Sequence, residues 1–455
     1  MSEIGRDNPR PGHLALVVGH PARTGGMETF CRFLAETVLA AGWRITVALS
    51  GENVYGPLRA AFGERIDIDE VDWIDRACAG DREYTWSRIA DRRRWFRRVR
   101  PDVAVVVQSS NTPFRCAVVG ARLAGVPVVS THRTMAWPVE DVPSRRHVFG
   151  LVPGIGLHRR RVVAKTWLTA LLARRVVYNS EEVRREYERL YRYPCRRGVV
   201  ISNAVMTVVE PPVRGPTDLS LAASRSLPDS GIDAVTIGFV GRIGSDKRLD
   251  VLLRAVAAMK SEVPVRVALY GEGAQRASLA ELAAELGIAN RVEWGGITDD
   301  PWSAYGRMDV VVLCSPRESS SNMVLEAMAA GKPVVVTETG GMAELVDRGR
   351  CGICVPPLAV DVLTMVLEKL AGNPELRRQL GERARAKAMT EHDPRAIGRQ
   401  WMSLLSDLAG RRRQRVGTLV DEPRASARAD QRDGRTSVGP GRITARAEAR
   451  SSLVS

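Results

Sequence analysis

Residues 308–337 read as a strand, a polar loop, a helix and a second strand, and that order leaves few folds open to the chain. MDVVVLC (Met308 to Cys314) is an unbroken apolar run rich in β-branched residues, the pattern of a strand buried on both faces of a parallel sheet. SPRESSS follows, then a helical stretch from Asn322, then KPVVVTETGG as a second buried strand. Parallel neighbours joined through a helix form a βαβ unit. The rhythm recurs in HLALVV from His13, WRITVALS after Gly42, Val103 to Val107, VPVVSTHRT, VVYNSEEV, GVVISNAV, AVTIGFVG and VRVALYGEG. Between the last two and the others lies VVEPPVRGPTDLSLAASRSLPDSGID, rich in Pro, Ser and Gly, which breaks the rhythm as a linker does. The expected class is α/β with two doubly wound, Rossmann-like domains, residues 12–207 and 234–392, joined by the linker 208–233. A length of 455 residues, 44% of them hydrophobic, supplies two cores.

Open α/β sheets bind ligands outside the carboxyl ends of their strands, so the loops there are where chemistry is sought. Glu318 stands on the loop after Cys314, and Glu326 follows at an E-x7-E spacing on the helix, whose side chains lean back toward its N-terminus. Carboxylates accept well from vicinal sugar hydroxyls. Ser319, Ser320 and Ser321 fill the loop, and Ser321 is the expected cap of a helix beginning at Asn322, whose N-terminal N–H groups suit a diphosphate. At the mouth of the strand in AVTIGFVGRIGSDKRLDVLL stand Arg242 and Lys247, a guanidinium fork and a compact ammonium suited to a diphosphate leaving group. Gly25 and Gly26 precede a helix after the first strand and allow close backbone approach to phosphate. Gly271, Gly273, Gly295 and Gly296 bring two more tight turns to the edge expected to line a nucleotide base. His132 ends a strand and has a pKa suited to proton handling; the other reading is a structural histidine.

SPRESSSNMVLEAMAAGKPVVVTETGG, with its E-x7-E pair, resembles the donor-binding motif of the family 4 glycosyltransferases, which use nucleotide sugars and have the two-domain GT-B fold. The resemblance covers about residues 12–405. It implies that Glu318 contacts hydroxyls of the transferred sugar, Glu326 the ribose, and Arg242 and Lys247 the departing diphosphate. The sequence Gly25, Gly26, Met27, Glu28 matches the family's GGxE, which lines the cleft opposite the diphosphate, and His132 corresponds to a histidine beside sugar and acceptor. A helix at 393–409 is implied to cross back onto the first domain. The implied reaction is sugar transfer with retention of configuration, the departing phosphate oxygen taking the acceptor proton, with no cofactor and no metal. Many members carry phenylalanine and glycine where this chain has Ser320 and Ser321, so the resemblance does not extend to which sugar is moved. A GT-B epimerase or phosphorylase is the alternative within the architecture.

A net charge of +15 raises a different class, a nonenzymatic binder of nucleic acid or membrane surfaces. The excess is uneven: residues 411–455 carry eleven arginines against five acids, a net +6. With few large apolar groups, the tail from 410 is expected to be disordered, and no aromatic-interleaved basic platform supports specific nucleic-acid binding. Val142 to Ser180 holds no acid, eight cations and a helical stripe of Val163, Trp167 and Leu171. The stripe is expected to pack inside the first domain, with a membrane-facing surface and a lipid-linked acceptor as the alternative. Arg92 to Arg100 reads as a solvated helix face. Asp67 and Asp69 match a D-x-D metal pattern, but alternating DIDEVDW reads as a half-exposed strand. Seven scattered cysteines fit reduced thiols, and Cys351 and Cys354 read as turn and strand residues. A polar N-terminus and no spanning segment put the chain in the cytoplasm, with the inner membrane face as a peripheral site.

Overall fold

The computed structural model describes residues 11–18, 26–49, 56–71, 85–108, 115–136, 155–206, 234–298 and 300–421. The expected linker, 208–233, lies outside them, as does Gly25. The first half runs β1 (His13–Val18), α1 (Gly26–Ala40), β2 (Arg44–Leu49), α2 (Gly56–Phe62), β3 (Asp67–Glu70), α3 (Trp86–Val99), β4 (Val103–Gln108), α4 (Arg115–Leu123), β5 (Val128–His132), α5 (Ile155–Leu172), β6 (Arg175–Tyr178), α6 (Glu181–Tyr191) and β7 (Gly198–Val200). Its seven strands lie in the order β3-β2-β1-β4-β5-β6-β7, every pair parallel. The second half runs β8 (Val235–Val240), α7 (Leu249–Ala258), β9 (Val265–Tyr270), α8 (Arg276–Glu285), β10 (Val292–Gly296), α9 (Pro301–Gly306), β11 (Val310–Leu313), α10 (Asn322–Ala329), β12 (Val334–Thr337), α11 (Met342–Leu345) and β13 (Ile353–Val355). Its parallel order, β10-β9-β8-β11-β12-β13, repeats the doubly wound pattern. The order reverses between β1 and β4 in one sheet and between β8 and β11 in the other, which makes those carboxyl ends the ligand crevices.

Why the strands are apolar throughout follows from this layering: β1, β4 and β5 are buried at every residue, with helices covering both faces. After α12 (Val360–Ala371) and α13 (Pro374–Glu391), α14 (Pro394–Asp421) returns to the first half. Ile397, Trp401, Leu405 and Leu408 recur on one face and join that half's core, Trp401 packing 5.4 Å from the Phe30 ring. The helix runs beyond the expected end at 409, so the first residues assigned to the tail are helical. Arginine is a good helix former, and Arg411 adds an i, i+4 bond to Asp407 at 2.9 Å.

Three surface readings are decided here. Asp69 accepts from the Trp95 indole at 2.6 Å and pairs with Arg98, serving the packing of α3 on β3, while Asp67 pairs with Arg44 of β2 at 3.5 Å. Within the Arg92 to Arg100 run the solvated-face reading fails for Arg92, which is buried and donates to the Arg88 carbonyl at 3.0 Å. On α5 the expected stripe is split. Val163 packs against the domain, but Thr166, Thr169 and Ala170 form the buried face, while Trp167 and Leu168 are 41% and 48% exposed. Arg115 selects that face by donating to Thr166 Oγ1 at 2.8 Å.

Candidate active site

The chain leaves β8 through Gly241, whose φ of 149° only glycine adopts readily. Gly271, leaving β9 at φ 130°, presses so close that a Cβ there would sit 1.9 Å from the Gly241 carbonyl oxygen. Gly295 abuts the Tyr270 ring in the same way, and Gly271 N–H donates to the Gly296 carbonyl at 2.6 Å. The glycines therefore let three strand exits crowd together. A tight turn at Ser245–Lys247 then aims Lys247 across the switch point, where Nζ meets Glu318 Oε2 at 2.8 Å. Arg242 lies beside them, 56% exposed and paired at 2.7 Å with the equally open Asp246. An exposed pair of this kind is weak, so an incoming phosphate can take the guanidinium from Asp246.

Glu318 and Glu326 have opposite surroundings. Glu318 faces an ammonium. Glu326, on the first turns of α10, accepts one hydrogen bond from the Tyr305 hydroxyl at 2.9 Å. Burial pushes its pKa up to about 7, and the Tyr305 bond works against that rise. Ser321 caps α10, its Oγ accepting from the Val324 N–H at 3.5 Å. This leaves the earliest N–H groups of the helix to the crevice.

The first half meets this loop through polar contacts. A Cβ on Gly26, at the start of α1, would lie 3.5 Å from Asn322 Nδ2, so the N-termini of α1 and α10 approach across the cleft. Asn203 donates to Asn322 Oδ1 at 2.7 Å and to the Ser320 carbonyl at 3.3 Å, while its own Oδ1 accepts from Arg133. Ser319 Oγ donates to the Arg133 carbonyl at 2.7 Å and accepts from Asn179 at 3.2 Å. The hydroxyls of Ser319 and Ser321 are thus engaged by protein, so what these two serines offer a donor is backbone. Nearby, Glu344 on α11 accepts from the N–H groups of Glu181 and Glu182 at 3.0 and 3.3 Å, capping α6 of the other half.

His132 requires a correction. Its ring is 4% exposed and sits in a tyrosine cluster, 4.2 Å from Tyr187 and within reach of Tyr178 and Tyr193, whose hydroxyl lies 3.4 Å from Nε2. Burial pushes its pKa down to about 3, so the ring stays neutral and is shut away from the cleft. The next residue, Arg133, is one that sequence reasoning misses. Its guanidinium stacks 4.1 Å over Phe30, and burial lowers its pKa to about 9. Asn179, Asn203, Tyr305 and Glu344 were missed too; only their places at strand ends or beside the E-x7-E unit pointed to them.

The family profile described as Glycosyltransferase Family 4 matches residues 24–208, and that described as Glycosyl transferases group 1 matches residues 228–387. A D-inositol 3-phosphate glycosyltransferase of Saccharomonospora viridis is 34% identical over 304 residues, 62% of this chain and 64% of that protein. The lipopolysaccharide core biosynthesis glycosyltransferase LpsE of Rhizobium meliloti is 30% identical over 186 residues, 41% of this chain and 54% of that protein. In both, the match spans less than two thirds of the relative's length. Among solved structures, Anabaena HepE in complex with UDP superposes with a TM-score of 0.66 at 18% identity, covering 87% of this chain and all of that one. A glycosyltransferase from Rickettsia africae gives a TM-score of 0.68 at 17% identity, covering 87% and 98%. With both sheets, both crevices and both profiles in place, the chain belongs to the family 4-like glycosyltransferases of the GT-B fold.

Proposed function

We propose that the protein transfers a sugar from a nucleotide diphosphate sugar to an acceptor hydroxyl in the cleft, with retention of anomeric configuration. The observation that carries this reading is the Lys247–Glu318 pair, which joins a phosphate-binding cation to a sugar-binding carboxylate across the β8/β11 switch point. Lys247 and Arg242 take the charge that builds on the diphosphate as the sugar C1–O bond breaks. Glu318 holds sugar hydroxyls, which frees Lys247 for phosphate when the donor enters, and Glu326 holds the ribose. The acceptor oxygen bonds to C1 on the face the diphosphate leaves, and its proton passes to the departing phosphate oxygen. Catalysis is then positioning and charge stabilisation, with the nucleotide sugar as co-substrate and no cofactor. That HepE was solved with UDP makes uridine the first base to try. A thermal-shift panel of UDP, GDP, ADP and dTDP sugars tests the donor, since a ligand at a hundred times its Kd adds ~2.7 kcal/mol. Stabilisation by none of them counts against the reading, and product formed only with inorganic phosphate as acceptor would indicate a phosphorylase.

One observation favours a membrane-held acceptor, as in glycolipid or polysaccharide synthesis at the cytoplasmic face. The exposed Trp167 and Leu168 of α5 lie on a helix that also exposes Lys165 and Arg160, a pairing suited to anionic lipid. Among the described residues no helix is long and apolar enough to cross a membrane. Sedimentation with anionic and neutral vesicles at low and high salt tests this. Binding that needs anionic lipid and falls on Trp167→Ala with Leu168→Ala supports it, and no binding under any condition leaves a soluble acceptor.

A further inference from the structure

The partner of Glu326 is a residue that donor binding, as described above, does not call upon. Tyr305 ends α9 completely buried, its ring set edge-on to Trp302 at 6.4 Å, and its hydroxyl donates to Glu326 Oε2. The elements around Glu326 otherwise bring no charge to it. Helix α13 packs along α10 with Leu380, Gly381, Ala384 and Ala388 as its buried residues. Strands β11 and β12 present valines, and of the two charged residues on the loop before α10, Glu318 pairs with Lys247 from the turn after β8 and Arg317 donates to the Ala136 carbonyl at 2.6 Å. Among the described residues Tyr305 is thus the one titratable group acting on this carboxylate. A second carboxylate at a nucleotide site, held by a neutral phenol where an arginine would hold it more tightly, has a specific use. Each carboxylate oxygen has two lone-pair sites, so one bond to Oε2 fixes the group's rotation and leaves acceptor positions on both oxygens.

Resting on the reading of Glu326 as the ribose ligand, we propose that Tyr305 is a positioning residue for nucleotide recognition, locking the Glu326 carboxylate so that it takes both hydroxyls of the ribose diol. An arginine in its place would compete with the diol for the same lone pairs; the phenol orients the carboxylate without neutralising it. The raised pKa of Glu326 adds a signature. Two hydroxyls donate more strongly to the carboxylate than to the neutral acid, so diol recognition strengthens as pH rises through about 7 and levels off above it. The Tyr305 bond favours the ionised form, and its loss moves that midpoint upward.

The test measures affinities of UDP and of 2′,3′-dideoxyuridine 5′-diphosphate by calorimetry from pH 6 to 9, the ratio between them cancelling the titration of the phosphates. In the unaltered protein the preference for UDP should grow roughly tenfold between pH 6 and 8, as expected for one carboxyl titrating near neutrality. Tyr305→Phe, which keeps the ring against Trp302, should reduce the preference about five- to tenfold at pH 7 and recover most of it by pH 9. Glu326→Gln, with Tyr305 intact, should show a low preference that does not change with pH. Equal preferences at every pH for the unaltered protein and Tyr305→Phe would overturn the proposal, as would a loss in Tyr305→Phe that is the same for both nucleotides at all pH values. If Glu326→Ala keeps the full preference for UDP, the ribose reading itself fails, whatever Tyr305→Phe does.

Discussion

The two sheets are wound in the same order, but their strand ends are put to different uses. After β8 and β11 the second half sets ionisable groups face to face across the switch point, with Lys247 on Glu318 and Arg242 beside them. After β5, β6 and β7 the first half does the reverse: His132 is sealed among tyrosines, and Arg133, Asn179 and Asn203 are engaged with the loop of the other half. One half is arranged to meet a charged ligand and the other to hold the loop that meets it. A shared topology therefore fixes where a crevice lies without fixing which side supplies its chemistry.

The sharpest way to break this comparison is to remove the cations one at a time. Lys247→Ala should lower kcat/KM with the accepted donor about a hundredfold, because it removes the cation proposed to bind the diphosphate and leaves Glu318 without its partner. Arg242→Ala, whose side chain is open to solvent, should lose about tenfold. Equal losses would show that burial of the Lys247–Glu318 pair contributes nothing. On the first-half side, Asn203→Ala removes donors to Ser320 and Asn322 and an acceptor for Arg133, and should cost about 2–3 kcal/mol in a urea titration. A cost below about 0.5 kcal/mol would mean that the loop does not need this hold.

The two glutamates sharpen the contrast within the second half. Glu318→Ala should abolish most turnover yet leave UDP affinity within about threefold, whereas Glu326→Ala should weaken UDP about tenfold. The reverse pattern in calorimetry would exchange their roles. The smallest kinetic effect is expected at His132: His132→Phe should keep activity within about threefold and leave the pH-rate profile near pH 6.5 unmoved. Its signature is in stability. The folded pKa of about 3 lies below the unfolded value of 6.5, so below pH 6.5 the unfolded chain binds a proton that the native state refuses. Stability should then fall with falling pH from 6.5 toward 3, by at most about 1.4 kcal/mol per pH unit, and that slope should disappear in His132→Phe. Parallel stability curves for the two proteins would return His132 to the list of solvent-accessible groups.

What could be read from the sequence was what local order determines. Buried strands announce themselves as β-branched runs, and R-x4-K and E-x7-E each span one loop and the start of one helix, so spacing alone brings the groups to a strand mouth. Ser321 as a helix cap is equally local. Asn203 and Asn322 are 119 residues apart, and Asn179 and Ser319 are 140 apart; no window of the chain contains such a pair. His132 failed because the end of a strand fixes a residue's height in the sheet but not what its side chain packs against. On α5, apolar periodicity named Trp167 as inward, and a single bond from Arg115 to Thr166 favours another face. The tail was placed at 410 by composition, which does not register that a docked helix extends readily into arginine-rich sequence.

The return of α14 to the first half has a consequence for how the protein is made. Ile397, Trp401, Leu405 and Leu408 complete a core whose other members lie before residue 205, each burying a side chain worth roughly 1.5–3 kcal/mol. On the ribosome, the first half is therefore left with an open apolar groove along α1 while the whole second half is synthesised. It closes only after the second half has emerged, a reversal of the usual habit of finishing the N-terminal domain first. Any recombination that exchanges the first half between relatives must carry the α14 segment with it, because a cut at the linker would separate that half from part of its own interior.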